Sequence, residues 1–156
     1  MKRLLITFVL FSVAAFSQRG TYTVERKSAL VASAEVVTIQ LPTAAIATSA
    51  AMLKAAVYCS VECEITLERD GTAATTTTLT PVLNYTNSVA VSANAYRSSN
   101  VGVGSVIARY TVAAGLTLPL DLGDISLLKK TTPENFTIRT ASITGTAIIV
   151  IKWREY

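Results

Sequence analysis

The sequence predicts an all-β protein, an antiparallel β-sandwich or jelly-roll-like domain of about eight to ten strands. Three observations support this fold class. The chain contains 22 Thr and 16 Val residues, and both residue types favour the pleated surface of a strand. Apolar and polar residues alternate over long stretches. Turn signals divide the chain into short segments, without an alternating series of helices.

The clearest alternation runs from Leu53 to Leu67, where every second residue is apolar. A period of two over this length predicts one long strand, or two strands joined by a slight bend, with one buried and one solvated face. Asp70 and Gly71 follow, and then a Thr-rich run at 73–79, a pattern typical of a β-hairpin. The long strand is therefore predicted to pair with this Thr-rich run.

Further strands are predicted from the same alternation and from the turn residues between them. They lie at 21–26, 35–41, 88–95, 101–113, 116–122, 135–141 and 146–153, and the last two form a terminal pair. Only the stretch 43–56 could hold a helix, with Thr43 as its N-cap after Pro42. Because the second half of that stretch also fits a strand, at most one short helix is expected near 43–52.

Residues 1–17 are typical of a secretory signal peptide. A basic Lys-Arg pair is followed by an apolar run, and the small residues Ala15 and Ser17 fit the positions before a signal-peptidase cut. Cleavage would leave residues 18–156 as a single secreted domain outside the cytoplasm. The alternative is an uncleaved chain whose apolar start is a buried strand. No second apolar run of about 20 residues follows, so no membrane span is expected after cleavage.

The charge balance argues against nucleic-acid binding. Of the 14 Lys and Arg residues, two lie in the signal segment, so the remaining chain carries 12 against 10 Asp and Glu. Nucleic-acid binding needs a concentrated basic face, and the basic clusters here are only pairs such as Lys129-Lys130. Charged residues make up 15% of the chain, against about a quarter in an average domain. This low fraction suits a protein that buries much of its surface, in its core or against copies of itself.

The two cysteines, Cys59 and Cys63, invite a disulfide in a secreted protein. On a continuous strand, however, their Cα atoms would lie roughly 13 Å apart, and a disulfide tolerates less than about 7 Å. The alternation favours two buried free thiols, and a disulfide remains the alternative if the chain turns between them. The absence of any His argues against a metal or haem site at this Cys-x-x-x-Cys pair.

The residues expected of an enzyme are missing. The chain has no His, which removes the usual general base and most catalytic triads. It also has no Gly-x-Ser-x-Gly elbow and no phosphate-binding loop. No catalytic residue and no cofactor is therefore expected. Calcium is the one alternative, because Asp121 and Asp124 flank a turn whose oxygens could hold this ion, although a solvated loop explains them as well.

The last strand offers a candidate interface. Ile148 and Val150 face one way, while Trp153 lies among the apolar residues that face the other. A strand that is apolar on both faces is either central in a sandwich or covered by another subunit. Ile148, Val150, Trp153 and Tyr156 are therefore the predicted interface residues.

Two tyrosines offer a candidate ligand platform. Tyr58 and Tyr96 occupy polar-face positions of their strands, so both side chains are expected to be exposed. Exposed Tyr is enriched at interfaces of every kind. The pair could therefore bind a glycan, another ligand or another surface protein.

The segment from Val106 to Tyr156 carries a Gly-punctuated series of strands, the extended stretch Asn135-Phe136-Thr137-Ile138-Arg139, and an apolar last strand ending in Lys152-Trp153-Arg154-Glu155. In these features it resembles small β-sandwich proteins among the virion and tail components of tailed phages. The resemblance covers about a third of the chain and contains no diagnostic motif. It implies an assembly role and assigns no functional residue.

The expected function is that of a secreted, non-enzymatic β-sandwich that associates with copies of itself as a structural subunit of a surface, extracellular or virion-like assembly. Affinity would come from apolar burial and from strand addition at an open sheet edge. The N-terminal segment 18–34 is a candidate exchangeable strand. The alternative is a carbohydrate- or ligand-binding module that uses Tyr58, Tyr96 and the turn at Asp121 and Asp124, with calcium as the candidate ion at this turn.

Overall fold

The structure is a computed structural model that describes residues 20–30, 35–71, 77–84, 90–98, 104–141 and 144–156. Every regular secondary-structure element within these ranges is a β-strand, which confirms the all-β prediction. The predicted signal peptide at 1–17 lies outside the described residues. No helix in the described part of the chain is long and apolar enough to cross a membrane.

The described residues form twelve strands. They are β1 (Gly20–Leu30), β2 (Glu35–Leu41), β3 (Ser49–Cys59), β4 (Cys63–Arg69), β5 (Thr77–Leu79), β6 (Val82–Leu83), β7 (Asn94–Ser98), β8 (Ser105–Val112), β9 (Thr117–Asp121), β10 (Ser126–Leu128), β11 (Glu134–Ala141) and β12 (Gly145–Glu155). The stretch considered for a helix is not helical. Residues 43–48 form turns and bends, and β3 begins at Ser49 because Ala50 and Met52 already alternate into the core.

The strands form two antiparallel sheets of a β-sandwich. Sheet A has the order β10–β3–β12–β1–β6, and β9 pairs with β3 on the same side as β10. Sheet B has the order β5–β7–β2–β11–β4–β8. The jelly-roll connectivity stays a prediction. The first and last strands are neighbours along their whole length, from the pair Gly20 and Glu155 to the pair Leu30 and Gly145.

The long alternation around the cysteines is divided between the two sheets. β3 belongs to sheet A and ends at Cys59, the chain turns over 60–62, and β4 begins at Cys63 in sheet B. The turn brings the two Cα atoms to 6.3 Å, and the cysteines form a disulfide. The favoured expectation of free buried thiols is therefore wrong, because it assumed that the strand runs straight. The alternation survives the turn because both Cys side chains point into the same core.

The predicted hairpins are also wrong. In the described part of the chain, no strand pairs with the strand that directly follows it. β4 pairs with β8 and β11 instead of with the Thr-rich run, whose described part, β5, pairs with β7. The expected terminal pair is divided too, since β11 lies in sheet B and β12 in sheet A. β11 and β12 therefore lie in different sheets, whereas β4 and β5 lie in the same sheet with other strands between them.

The core lies between the sheets and includes the largest side chains of the last strand. Trp153 is fully buried and stacks on Tyr22 of β1, with ring centroids 5.8 Å apart. Ile149 and Ile151 of β12 lie on the same face, and Ile39 and Phe136 of sheet B belong to the same core cluster. Burial of such side chains from both sheets is the main contribution to the stability of a sandwich.

Two buried carboxylates link the sheets at the end opposite the disulfide. Glu155 of β12 accepts hydrogen bonds from the backbone N–H groups of Ser92 and Ala93, which precede β7, and from the indole N–H of Trp153. Glu134 of β11 accepts one from the N–H of Leu128 in β10, at 2.6 Å. Glu155 therefore joins sheet A to the segment that leads into sheet B, and Glu134 joins sheet B to a strand of sheet A.

Candidate functional site

The outward face of sheet A carries an apolar groove, which we call the sheet A groove. It is lined by Ala56, Tyr58, Thr117, Ile148 and Val150 and has a volume of about 300 Å³. The alternation of β3 and β12 produces it. Inward residues of both strands fill the core, so the residues between them must face outward.

The strand register holds the groove residues side by side. Ile148 is directly opposite Tyr58, and Val150 is directly opposite Ala56, in the β12–β3 ladder. Thr117 is opposite Tyr58 on the other side of β3. Because directly opposite residues on one face contact each other, these side chains form a continuous surface across three strands. All but the exposed Thr117 are half-buried in the single chain.

Charged side chains of both signs surround the groove. On β1, Lys27 is opposite Ile148 and Glu25 is opposite Val150, and both are exposed. On the other side, Lys54 of β3 is opposite Asp121 of β9. An apolar centre with a polar, charged rim is the usual anatomy of a protein–protein contact surface.

The four predicted interface residues do not lie together. Ile148 and Val150 face outward in the groove, on the side that the alternation predicted. Trp153 is not available to a partner, because it faces inward and is fully buried in the core. Tyr156 is half-buried at the end of the chain, where its backbone bonds to Thr48 and Ser49.

The two predicted ligand tyrosines lie on different sheets. Tyr58 is in β3 of sheet A and lines the groove, while Tyr96 is in β7 of sheet B. A single platform that contains both rings is therefore not formed. The structure instead brings Tyr58 together with Ile148 and Val150, so residues predicted for two different roles share one surface.

The candidate calcium turn lies between β9 and β10. Asp121 Oδ1 accepts a hydrogen bond of 3.1 Å from the N–H of Gly123, as in an Asx turn. Both Asp121 and Asp124 are exposed. Among the described residues no three His, Cys, Asp or Glu side chains come together in a group that could hold a metal ion. The turn geometry accounts for Asp121 without an ion.

The outward face of sheet B is polar, in contrast to that of sheet A. Thr38 and Thr137 are opposite each other, with hydroxyl oxygens 2.9 Å apart. Beside them Glu68 accepts bonds of 2.8 and 3.1 Å from the guanidinium of Arg139. Asn135 donates to the carbonyl of Gly71, and its buried Oδ1 has no hydrogen-bond partner among the described residues.

Two of the buried acids have lowered pKa values. Burial raises the pKa of Glu68, but hydrogen bonds from Arg139 and from the backbone of Gly104, with the charge of Arg139, outweigh it. Burial likewise raises the pKa of Glu134, but the N–H of Leu128 and the charged groups of Lys130 and Arg69 outweigh it. Both carboxylates are therefore held ionised in structural ion pairs.

The lining of the sheet A groove is suited to contact with another apolar surface. The sheet A groove offers apolar contact and one tyrosine, and a nucleophile beside a general base is not found among the described groove residues. Sequence reasoning missed Ala56 and Thr117, since neither residue stands out until the register places Ala56 opposite Val150 and Thr117 opposite Tyr58. Comparisons of the chain with protein-family models, with curated proteins and with solved structures found no match.

Proposed function

We propose that this protein is a secreted structural subunit that associates with copies of itself through the sheet A groove. The observation that carries the proposal is the apolar face made by Ile148, Val150 and Tyr58 on the outside of sheet A. Apolar surface of this kind, rimmed by charges, is typical of interaction sites. The partner surface must therefore be apolar at its centre as well.

A second copy of the chain has the matching chemistry. Two copies related by a two-fold axis present the same face to each other. The rim contains Lys27 and Lys54 together with Glu25 and Asp121, so basic side chains of one copy can approach acidic side chains of the other. The low charged fraction of 15% also suits a chain that covers part of its surface in an assembly.

Export is part of the same proposal, and two features support it. β1 begins at Gly20, so a cut after Ser17 would leave the whole β1–β12 ladder in the mature chain. The disulfide between Cys59 and Cys63 is stable in an oxidising compartment and rare in the cytoplasm. Both features are what an exported domain requires.

The variant Ile148→Glu tests the proposed contact. A carboxylate in the centre of the groove would have to be desolvated on association, so self-association should weaken at least about tenfold, or about 1.4 kcal/mol. The fold should tolerate the change, because Ile148 is only half-buried and Lys27 is directly opposite. Sedimentation velocity at several protein concentrations measures the effect.

Ile46→Glu is the matched control. Ile46 is 71% exposed in the loop before β3, so the same substitution there should leave association unchanged. Equal weakening by both variants, or by neither, would contradict the proposed contact. A wild-type chain that stays monomeric would favour the ligand-binding alternative, in which Tyr58 and the groove hold a small molecule.

A further inference from the structure

Strand β8 (Ser105–Val112) is an edge strand of sheet B in the described part of the chain. It pairs with β4 from Cys63 opposite Val112 to Arg69 opposite Ser105, and it stands last in the strand order. On its other side no described strand pairs with it. Backbone N–H and C=O groups on that side are therefore positioned to receive another strand.

The side chains of β8 make this edge suitable for pairing. Val106, Ile107 and Tyr110 are 43%, 45% and 39% exposed. Proteins usually protect edge strands with charged side chains, especially Lys, with Pro or with a bulge. The only charged side chain of β8 is Arg109, which pairs with Glu64 of its own chain, and the bulge is confined to Ile107. From Ala108 to Val112 the edge is regular.

We propose that β8 pairs antiparallel with β8 of a second copy, so that the two sheets B join into one continuous sheet. This inference rests on the proposed self-association and adds a second contact to it. The sheet A groove and the β8 edge belong to different sheets. Two separate self-complementary contacts on one chain extend the association beyond a dimer.

The side-chain pattern selects a register for this pairing. With Tyr110 opposite Tyr110 of the second copy, Arg109 lies opposite Thr111 and Ala108 lies opposite Val112. Directly opposite residues share a face, so the two Tyr rings meet at the symmetry axis. Centring the pair on Arg109 would instead place two positive charges opposite each other, which is destabilising.

The same register is complementary in charge, and this favours a second copy over an unrelated strand. Glu64 of β4 is directly opposite Thr111 of β8. In the joined sheet Glu64, Thr111 and Arg109 of the second copy would therefore lie in one row across three strands. Arg109 already bonds to Glu64 of its own chain at 2.9 Å, at an exposed position. Each of the two symmetry-related rows would then contain one Glu64 and one Arg109, and the two Arg109 residues would be diagonal neighbours across the axis.

The variant Tyr110→Cys tests the contact directly. The chain has two Cys residues, which are joined in the disulfide, so the new side chain would be the only free thiol. Opposite Cα atoms in an antiparallel pair lie about 4.5–5.5 Å apart, within the range of a disulfide. Mild oxidation should therefore give a covalent dimer, visible as a doubled intact mass that a reductant abolishes.

Ser105→Cys is the control, on the same exposed strand. In the proposed register residue 105 lies opposite residue 115, so two Ser105 positions are roughly 33 Å apart. Tyr110→Cys should give at least about tenfold more linked dimer than Ser105→Cys, because pairing raises the effective concentration of its thiols. Equal yields, or no dimer from either variant, would overturn the β8 contact.

The outcome for β8 can be separated from that for the groove. Loss of the Tyr110→Cys dimer, with an association that Ile148→Glu still weakens, would overturn the β8 contact and leave the proposed function standing. In the opposite case, Tyr110→Cys forms the covalent dimer but Ile148→Glu does not weaken self-association. That result would support the β8 contact and overturn the groove contact.

Discussion

At the scale of single residues, buried glutamates are the most informative feature of this protein. Glu68 is bound by the guanidinium of Arg139, Glu134 by Arg69, Lys130 and backbone, and Glu155 by backbone N–H groups and an indole. A buried carboxylate is tolerated only when donors replace its water. The ionised forms of Glu68 and Glu134, whose pKa values are lowered, therefore contribute to stability.

The pH dependence of stability follows from Glu68 and Glu134. Both pKa values lie below the ordinary value in the folded chain, so the unfolded chain binds more protons in the acid range. Their contribution is complete above the unfolded pKa of about 4.3 and is lost as the pH falls through the lower folded pKa. The melting temperature should therefore fall below about pH 5.

Glu134→Gln should remove part of this dependence. The variant should lose about 2 kcal/mol of unfolding free energy at pH 7, the usual contribution of hydrogen bonds to a charged group, and should lose less on acidification. Glu64→Gln is the control, because the ion pair of Glu64 with Arg109 is exposed and such pairs contribute little. Unfolding by urea between pH 3 and pH 7 measures both, and parallel curves for wild type and Glu134→Gln would contradict this account.

Part of the candidate site could be predicted from residue patterns. The alternation of the last strand places Ile148 and Val150 on one face and Trp153 on the other, as the structure has them. Treating Trp153 as an interface residue was wrong, because the stack on Tyr22 that buries it joins residues distant in sequence. Tyr58 and Tyr96 both occupy polar-face positions of their strands, but the two strands belong to different sheets. The alternation along a strand does not show to which sheet the strand belongs.

At the scale of elements, the turn at 60–62 is the feature that organises the sandwich. It passes the chain from sheet A to sheet B, and the disulfide closes it. Hydrophobic alternation could predict both flanking strands but not the turn, because both cysteines point into one core on either side of it. The hairpin signal at Asp70 and Gly71 gave the wrong partner for β4. This strand pairs with β8 and β11, which are distant in sequence, instead of with the segment that follows it.

The double variant Cys59→Ala with Cys63→Ala measures what the disulfide contributes. A short closed loop restricts the unfolded chain only modestly, so the variant should lose about 2 kcal/mol of unfolding free energy and still fold. Urea unfolding of the oxidised wild type and the variant gives this difference. Unreduced, denatured wild type should also have no thiol that reacts with a maleimide. Two reactive thiols would contradict the disulfide.

At the scale of the whole molecule, the fold depends on pairings between distant parts of the chain. The first strand pairs with the last, and the two sheets are linked at one end by the disulfide and at the other by Glu134 and Glu155. Sequence patterns predict most of the strands and the inward residues of β3, β4 and β12, but not every boundary, since β7 begins at Asn94 where a strand was predicted over 88–95. They do not fix strand order, which results from the packing of the complete core.

The same arrangement leaves two unlike surfaces on the outside of the molecule. Sheet A presents an apolar groove at its centre, and sheet B presents the exposed edge strand β8, which no described strand pairs with on its outer side. In the described part of the chain these are the surfaces best suited to meet another copy, one by apolar burial and one by strand pairing. An assembly subunit needs contacts of this kind on more than one side.

The molar mass of residues 18–156 in solution, measured by light scattering across a concentration series, tests the central claim of self-association most directly. If the chain associates with copies of itself, the mass should rise with concentration from that of the monomer towards those of dimers and larger assemblies. A mass that stays at that of the monomer throughout the series would contradict it.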